Sequence, residues 1–190
     1  MLYATASQTV GPYLHIGLED RYCEDLTSNA AELHARRIVI EGRVLDGLGA
    51  PVPDGMVEIW QANPHGRYDH PDDARESLPL IRGFTGFGRV PTGPDGSFRF
   101  VTVKPGSVPD VHGAAQAPHI LVSVFMRGLL KHVATRMYFP DETAANASDD
   151  VLRQVPAERR KTLIARQGDD QILRWDIVLQ GAGETVFFDI

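Results

Sequence analysis

Apolar and polar residues alternate with a period of two in several short runs of this chain, and glycine or proline closes almost every run. Over residues 37–45, Ile38, Ile40 and Val44 share one side while Val39, Glu41 and Arg43 share the other, the spacing of a half-buried strand. Residues 56–61, 97–103 and 133–139 read as further strands; in the second of these Phe98 and Phe100 oppose Arg99 and Val101. Residues 119–126 are apolar on both faces, which predicts a central position. Eighteen glycines and thirteen prolines, with turns at Asp46-Gly47-Leu48-Gly49 and Gly93-Pro94-Asp95-Gly96, rule against a helical bundle. The expectation is an all-β chain: an antiparallel two-layer β-sandwich with long irregular loops and a short helical segment. At 190 residues it has room for one sizeable domain. That domain is expected over residues 37–190, behind an N-terminal arm and polar segment over 1–36. Residues 1–18 read as extended and 19–36 as holding a turn of helix. Residues 141–166 read as helical in pieces, and residues 173–179 and 184–190 as a closing strand pair.

The formal charge of −6, with 19 basic residues scattered among 25 acidic ones, offers no concentrated positive face, so nucleic acid is not expected as a partner. One cysteine, Cys23, has no second cysteine to bridge to. The first residues lack a basic segment followed by an unbroken apolar stretch, and Gly11-Pro12 interrupts what apolar character there is. A cytoplasmic protein with no membrane contact is the expectation.

Candidate chemistry gathers in the connection 62–83, longer than most loops of a compact domain. His65, Tyr68 and His70 lie in it, and His119 opens a later strand; imidazole and phenolate are both ligands that suit iron. His, Asp and Tyr are also ordinary loop residues, so proximity in sequence does not by itself make a metal site. The glycine-rich residues 83–88 precede no helical pattern and read as a sharp bend or bulge rather than a phosphate cradle. Glu58 reads as a strand residue paired to an arginine.

Residues 40–68, IEGRVLDGLGAPVPDGMVEIWQANPHGRY, resemble the signature stretch of the intradiol ring-cleavage dioxygenases. The likeness continues through FGRVPT (87–92), VKPG (103–106), APHI (117–120), TRMYFPDE (135–142) and GETVFFDI (183–190). The family's fold is a β-sandwich of antiparallel strands, and its iron-bearing chain gives two tyrosines and two histidines to a ferric ion. Tyr68 and His119 stand at the first tyrosine and first histidine, whereas Val108 and Leu121 replace the second of each. Aliphatic carbon offers no lone pair, so this chain is expected to bind no metal. The resemblance implies Fe(III) held by a homologous beta chain, in an αβ protomer within a higher oligomer, acting on a small aromatic substrate, protocatechuate, and O2. It also implies that this chain lines part of the substrate pocket through Thr9, Gly11, Pro12 and Arg127. Taken alone, a Gly-Pro pair is a turn and a lone strand-end arginine is solvated; the resemblance is what assigns them a role. The rival readings are a self-sufficient metalloenzyme using His65, Tyr68, His70 and His119, and a non-enzymatic binding module.

Overall fold

The computed structural model describes residues 4–11, 13–30, 33–169 and 171–189; Pro12 lies outside them. In chain order the strands are β1 (Arg37–Leu45), β2 (Met56–Trp60), β3 (Phe87–Pro91), β4 (Ser97–Val103), β5 (Val108–Pro109), β6 (Ala115–Gln116), β7 (His119–Phe125), β8 (Val133–Tyr138), β9 (Arg166–Gln167), β10 (Ile172–Arg174) and β11 (Ile177–Val178). The alternation over residues 37–45 is realised along all of β1, which pairs antiparallel with β4 on one edge. A second sheet runs β3-β2-β7-β8, antiparallel throughout, with β7 inside it as its two apolar faces require. Ile40, Val44, Phe98 and Phe100 of the first sheet meet Val57, Ile59, Ile120, Val122 and Val124 of the second in one buried core. Each such side chain contributes roughly 1.5–3 kcal/mol by leaving water. Gly42 is needed where it stands, because a Cβ there would collide with the Trp175 carbonyl oxygen and the Phe98 ring.

The architecture matches the expected sandwich, and four details differ. Residues 173–179 and 184–190 touch at one point, where the Thr185 N–H donates to the Val178 carbonyl at 2.9 Å, but form no strand ladder among the described residues. Residues 173–179 divide instead into β10 and β11, which take the free edge of β1 in parallel, while β9 pairs antiparallel with β10. A strand with one edge occupied still carries backbone groups that need partners, and this segment supplies them. Residue 188 only bridges to Ala134. The arm is not wholly extended: α1 (Tyr13–Ile16) forms one helical turn, begun by the Leu14 N–H donating to the Gly11 carbonyl at 3.1 Å. Residues 23–30 belong to the sandwich, since Cys23 bridges to Arg89, Asp25 to Val101, and Leu26 and Ala30 join the core. Finally, β3 was hidden in the glycine-rich run: Gly88 faces Leu26 and Phe100 with no side chain of its own, so the period-two signal is lost there. The helical pieces are α2 (Thr143–Ser148) and α3 (Asp150–Gln154), followed by a 3-10 turn at Arg160–Thr162. Among the described residues no helix is long and apolar enough to cross a membrane.

Directly paired residues of an antiparallel ladder share a face. On the side of the second sheet turned away from the core, one row therefore reads Phe87, Trp60, Leu121, Arg136. The next reads Arg89, Glu58, Ser123, Ala134, and the last Pro91, Met56, Phe125. Glu58 and Arg89 form the ion pair expected of them. The candidate site residues lie at the two ends of this face.

Candidate active site

At the first end, Trp60 and Leu121 floor a cavity of about 650 Å³ whose walls include Tyr68, His70, Arg75 and Val108. The loop that carries Tyr68 is long but stapled. The Asn63 side chain accepts from the His65 and Arg67 N–H groups and donates to the Pro79 carbonyl. Gly66, at φ 77°, packs against the Ser107 carbonyl where a Cβ would not fit. Asp73 accepts from the Tyr68 N–H at 2.8 Å and from the Arg75 guanidinium through both oxygens. The hydrogen bonds from Arg75 hold the Asp73 carboxyl well below the usual carboxylate range. The Tyr68 ring meets Trp60 edge-on, 5.5 Å between centroids, and burial pushes its phenol pKa up. Its hydroxyl makes no hydrogen bond among the described residues.

Tyr68, Val108 and Leu121 thus line one cavity. His119 lies beneath, on the same face of β7 as Leu121, and is 4% exposed. Its Nδ1 is 2.8 Å from the Ala117 carbonyl oxygen, and its ring is 5.8 Å from that of Tyr138. Burial, aided by the charge of Arg136, lowers the His119 pKa to about 4, so the imidazole is neutral near pH 7. The Tyr138 hydroxyl donates to Asp149 Oδ1 at 3.1 Å, and Asp149 also accepts from the Ala117 and Leu152 N–H groups.

The decisive residue is one that sequence reasoning did not single out. Arg136 stands across the ladder from Leu121, where its Nη1 donates to Gln116 Oε1 at 2.8 Å and reaches the Tyr138 hydroxyl at 3.5 Å. Its charge acts on both Tyr68 and His119. Among the described residues no carboxylate lies within ion-pair distance of it. One phenol, one imidazole, two aliphatic side chains and a guanidinium do not fit a ferric ion, because donors are lacking and the resident charge repels a cation. Among the described residues no group of three or more His, Cys, Asp or Glu is arranged to hold a metal. The rival four-residue set does not converge either: His65 is exposed and outside the cavity wall, while His119 is buried with Nδ1 committed.

At the other end the arm meets the sheet. Gly128 donates its N–H to Thr9 Oγ1 at 2.7 Å, and Arg127 Nε donates to Asp54 Oδ2 at 2.7 Å. Val10, Gly11 and Arg127 line a narrow pocket of about 90 Å³ over Met56 and Phe125. Thr9 and Gly11 are therefore neighbours of Arg127, more than a hundred residues further along the chain, and the Arg127 side chain is 75% exposed. Asp54, its partner, lies in the turn that leads into β2. Pro12 lies outside the described residues.

The family model Dioxygenase_C, described as a dioxygenase, matches residues 11–181. The chain is 47% identical to the protocatechuate 3,4-dioxygenase alpha chain of Burkholderia cepacia, covering 100% of this chain and 98% of that one. It is 40% identical to the beta chain of the same enzyme and organism, over 85% of this chain and 73% of that one. Among solved structures, the dioxygenase domain of a carbohydrate-binding fusion protein from Streptomyces sp. SirexAA-E superposes with a TM-score of 0.63 at 24% identity, covering 85% of this chain and 89% of that one. The signature motifs and the sandwich agree with these likenesses, and the chain belongs to the intradiol ring-cleaving dioxygenases.

Proposed function

We propose that this chain is the iron-free alpha subunit of a protocatechuate 3,4-dioxygenase, working beside a homologous beta chain that holds Fe(III). Together the two chains insert both atoms of O2 between the hydroxylated carbons of protocatechuate and open the ring to 3-carboxy-cis,cis-muconate. A cytoplasmic location suits the unbridged thiol of Cys23. The observation that carries the reading is the pairing of opposites on one sheet face: a cavity where Val108 and Leu121 give a metal no donor, and an arm end where Thr9, Gly11 and an exposed Arg127 meet.

This chain's own part is positional. The Asp54 carboxylate orients the Arg127 fork, which leaves N–H donors free for the carboxylate of an aromatic acid held on the partner. The Thr9 hydroxyl accepts from the Gly128 N–H and so anchors the arm, whose Gly11 backbone lets a flat ring approach closely. Iron bound in the beta chain supplies the activation of the diol; this chain excludes water and fixes the ring's orientation.

Expression with and without a beta-type partner tests the reading. The chain alone should carry no iron and no ring-cleaving activity, and the co-expressed pair should be coloured and active. Stoichiometric iron with full turnover in the chain alone would overturn it.

A further inference from the structure

The edge of the first sheet carries an arrangement of charge that its own residues leave unbalanced. β10 pairs with β1 on one side and β9 on the other, so Arg174 stands directly across from Arg166 of β9 and from Glu41 of β1. Residues paired in this way share a face, and like charges so placed repel. Neither nearby carboxylate settles Arg174. Glu41 lies 3.6 Å from Arg99 Nε, and Asp176 is taken by Arg166 at 2.9 Å while its other oxygen accepts from the Arg43 N–H. The two arginines part, Arg166 toward Asp176 and Arg174 over Gly168, which lowers the repulsion without removing it. Among the described residues no carboxylate lies within ion-pair distance of Arg174.

Both arginines line a cleft of about 520 Å³, and Lys161 lines it too, again with no carboxylate in ion-pair reach among the described residues. Three cations thus face one carboxylate, Asp176, which is already engaged. The base of the cleft is fixed: Trp175 is 3% exposed, and its Nε1–H donates to the Thr162 carbonyl at 2.9 Å. Two guanidinium forks on strands about 4.8 Å apart can each take an edge of one tetrahedral dianion, whereas a single carboxylate fills only one fork. We infer that this cleft binds a phosphate group, free or carried by a small ester, between Arg166 and Arg174 with Lys161 beside it. The inference does not rest on the reaction proposed above; it would hold for a chain with no catalytic partner.

The full chain, with whatever partner copurifies, is titrated with inorganic phosphate at constant ionic strength. Saturating phosphate should raise the melting temperature about 2–5 °C above its value in sodium chloride of the same ionic strength. Succinate, whose charges sit on two separate planar groups, should bind several-fold more weakly by calorimetry. Arg174→Gln should weaken phosphate about tenfold or more, the scale of a lost charged hydrogen bond, with the melting temperature in chloride alone as the check that the variant folds. Lys161→Gln should weaken it about two- to fivefold. Glycerol 3-phosphate separates the two sources: tighter binding than inorganic phosphate assigns an ester, and equal or weaker binding assigns the free ion. In a crystal soaked with tungstate, the anomalous peak should lie between the two guanidinium groups. A phosphate shift no larger than that of chloride, unchanged affinity in Arg174→Gln, or a partner carboxylate seated in the cleft would overturn the inference.

Discussion

The two ends of the outer sheet face are built on the same strands, roughly 13 Å apart along β2, and have opposite chemical fates. At the Trp60 end, a metal would need several donors converging on one point, and Val108 and Leu121 line the cavity with aliphatic carbon that has no lone pair to give. At the Met56 end, Thr9 contributes a small hydroxyl, Gly11 its backbone and Arg127 a single charged fork, none of which needs to meet another at bond length. A coordination site is fragile to substitution because its parts act as a unit, whereas a wall tolerates change because its parts act singly.

The contrast can be broken by supplying donors at the Trp60 end. Val108→Tyr with Leu121→His and Arg136→Gln should take the chain from no iron to about one iron per chain, with a phenolate-to-iron absorption band. Keeping Arg136 in the same background should lower that occupancy. Iron analysis and a visible spectrum check both, and failure of the triple variant to bind iron would mean that more than donors and charge had been remodelled.

The buried half of the inherited pair sharpens the comparison through pH. His119 titrates near 4 in the folded chain and near 6.5 when unfolded. As pH falls the unfolded state takes up the proton first, so stability is level above pH 6.5, declines between 6.5 and 4, and is level again below. The loss is about 3 kcal/mol, and His119→Gln should remove that part of the slope in denaturant titrations across this range. The exposed arm end calls for a different measurement.

There the effects should appear in kinetics. Arg127→Ala in the complex should lower kcat/KM about 10- to 100-fold with iron content unchanged. Its unfolding free energy should move by no more than about 0.5 kcal/mol, since the Asp54 pair is solvated. Loss of iron instead would make Arg127 a residue that holds the assembly together. Smallest of all, Asp54→Asn should leave Arg127 in place but less fixed, raising KM about two- to fivefold with kcat nearly constant.

Much of this molecule is legible in its residues, and where it is not the reason is specific. The strands at 37–45, 97–103 and 119–125 announce themselves because one or both faces are buried, which forces the side-chain pattern. β3 does not, because Gly86 and Gly88 occupy positions where backbone packs against the Gln61 carbonyl and the core, and a glycine carries no polarity to alternate. β10 and β11 were misassigned to a local pair because nothing in a short apolar run states which distant edge is vacant. Arg136 looked like any arginine of a strand; its importance is a matter of register, which sets it beside Leu121.

By itself the sequence determined the class of fold, through periodicity, and the family, through motifs at fixed spacing. It also determined that positions 108 and 121 carry aliphatic carbon, because the identity of a side chain decides whether it has a lone pair to give. Only the tertiary structure decided that Arg136 stands across from Leu121, and that Thr9, Gly11 and Arg127 come together at one end of the sheet. Those are relations between residues far apart in the chain, created when strands choose partners, and the energy that fixes them comes from the packing of the whole sandwich rather than from any local pattern.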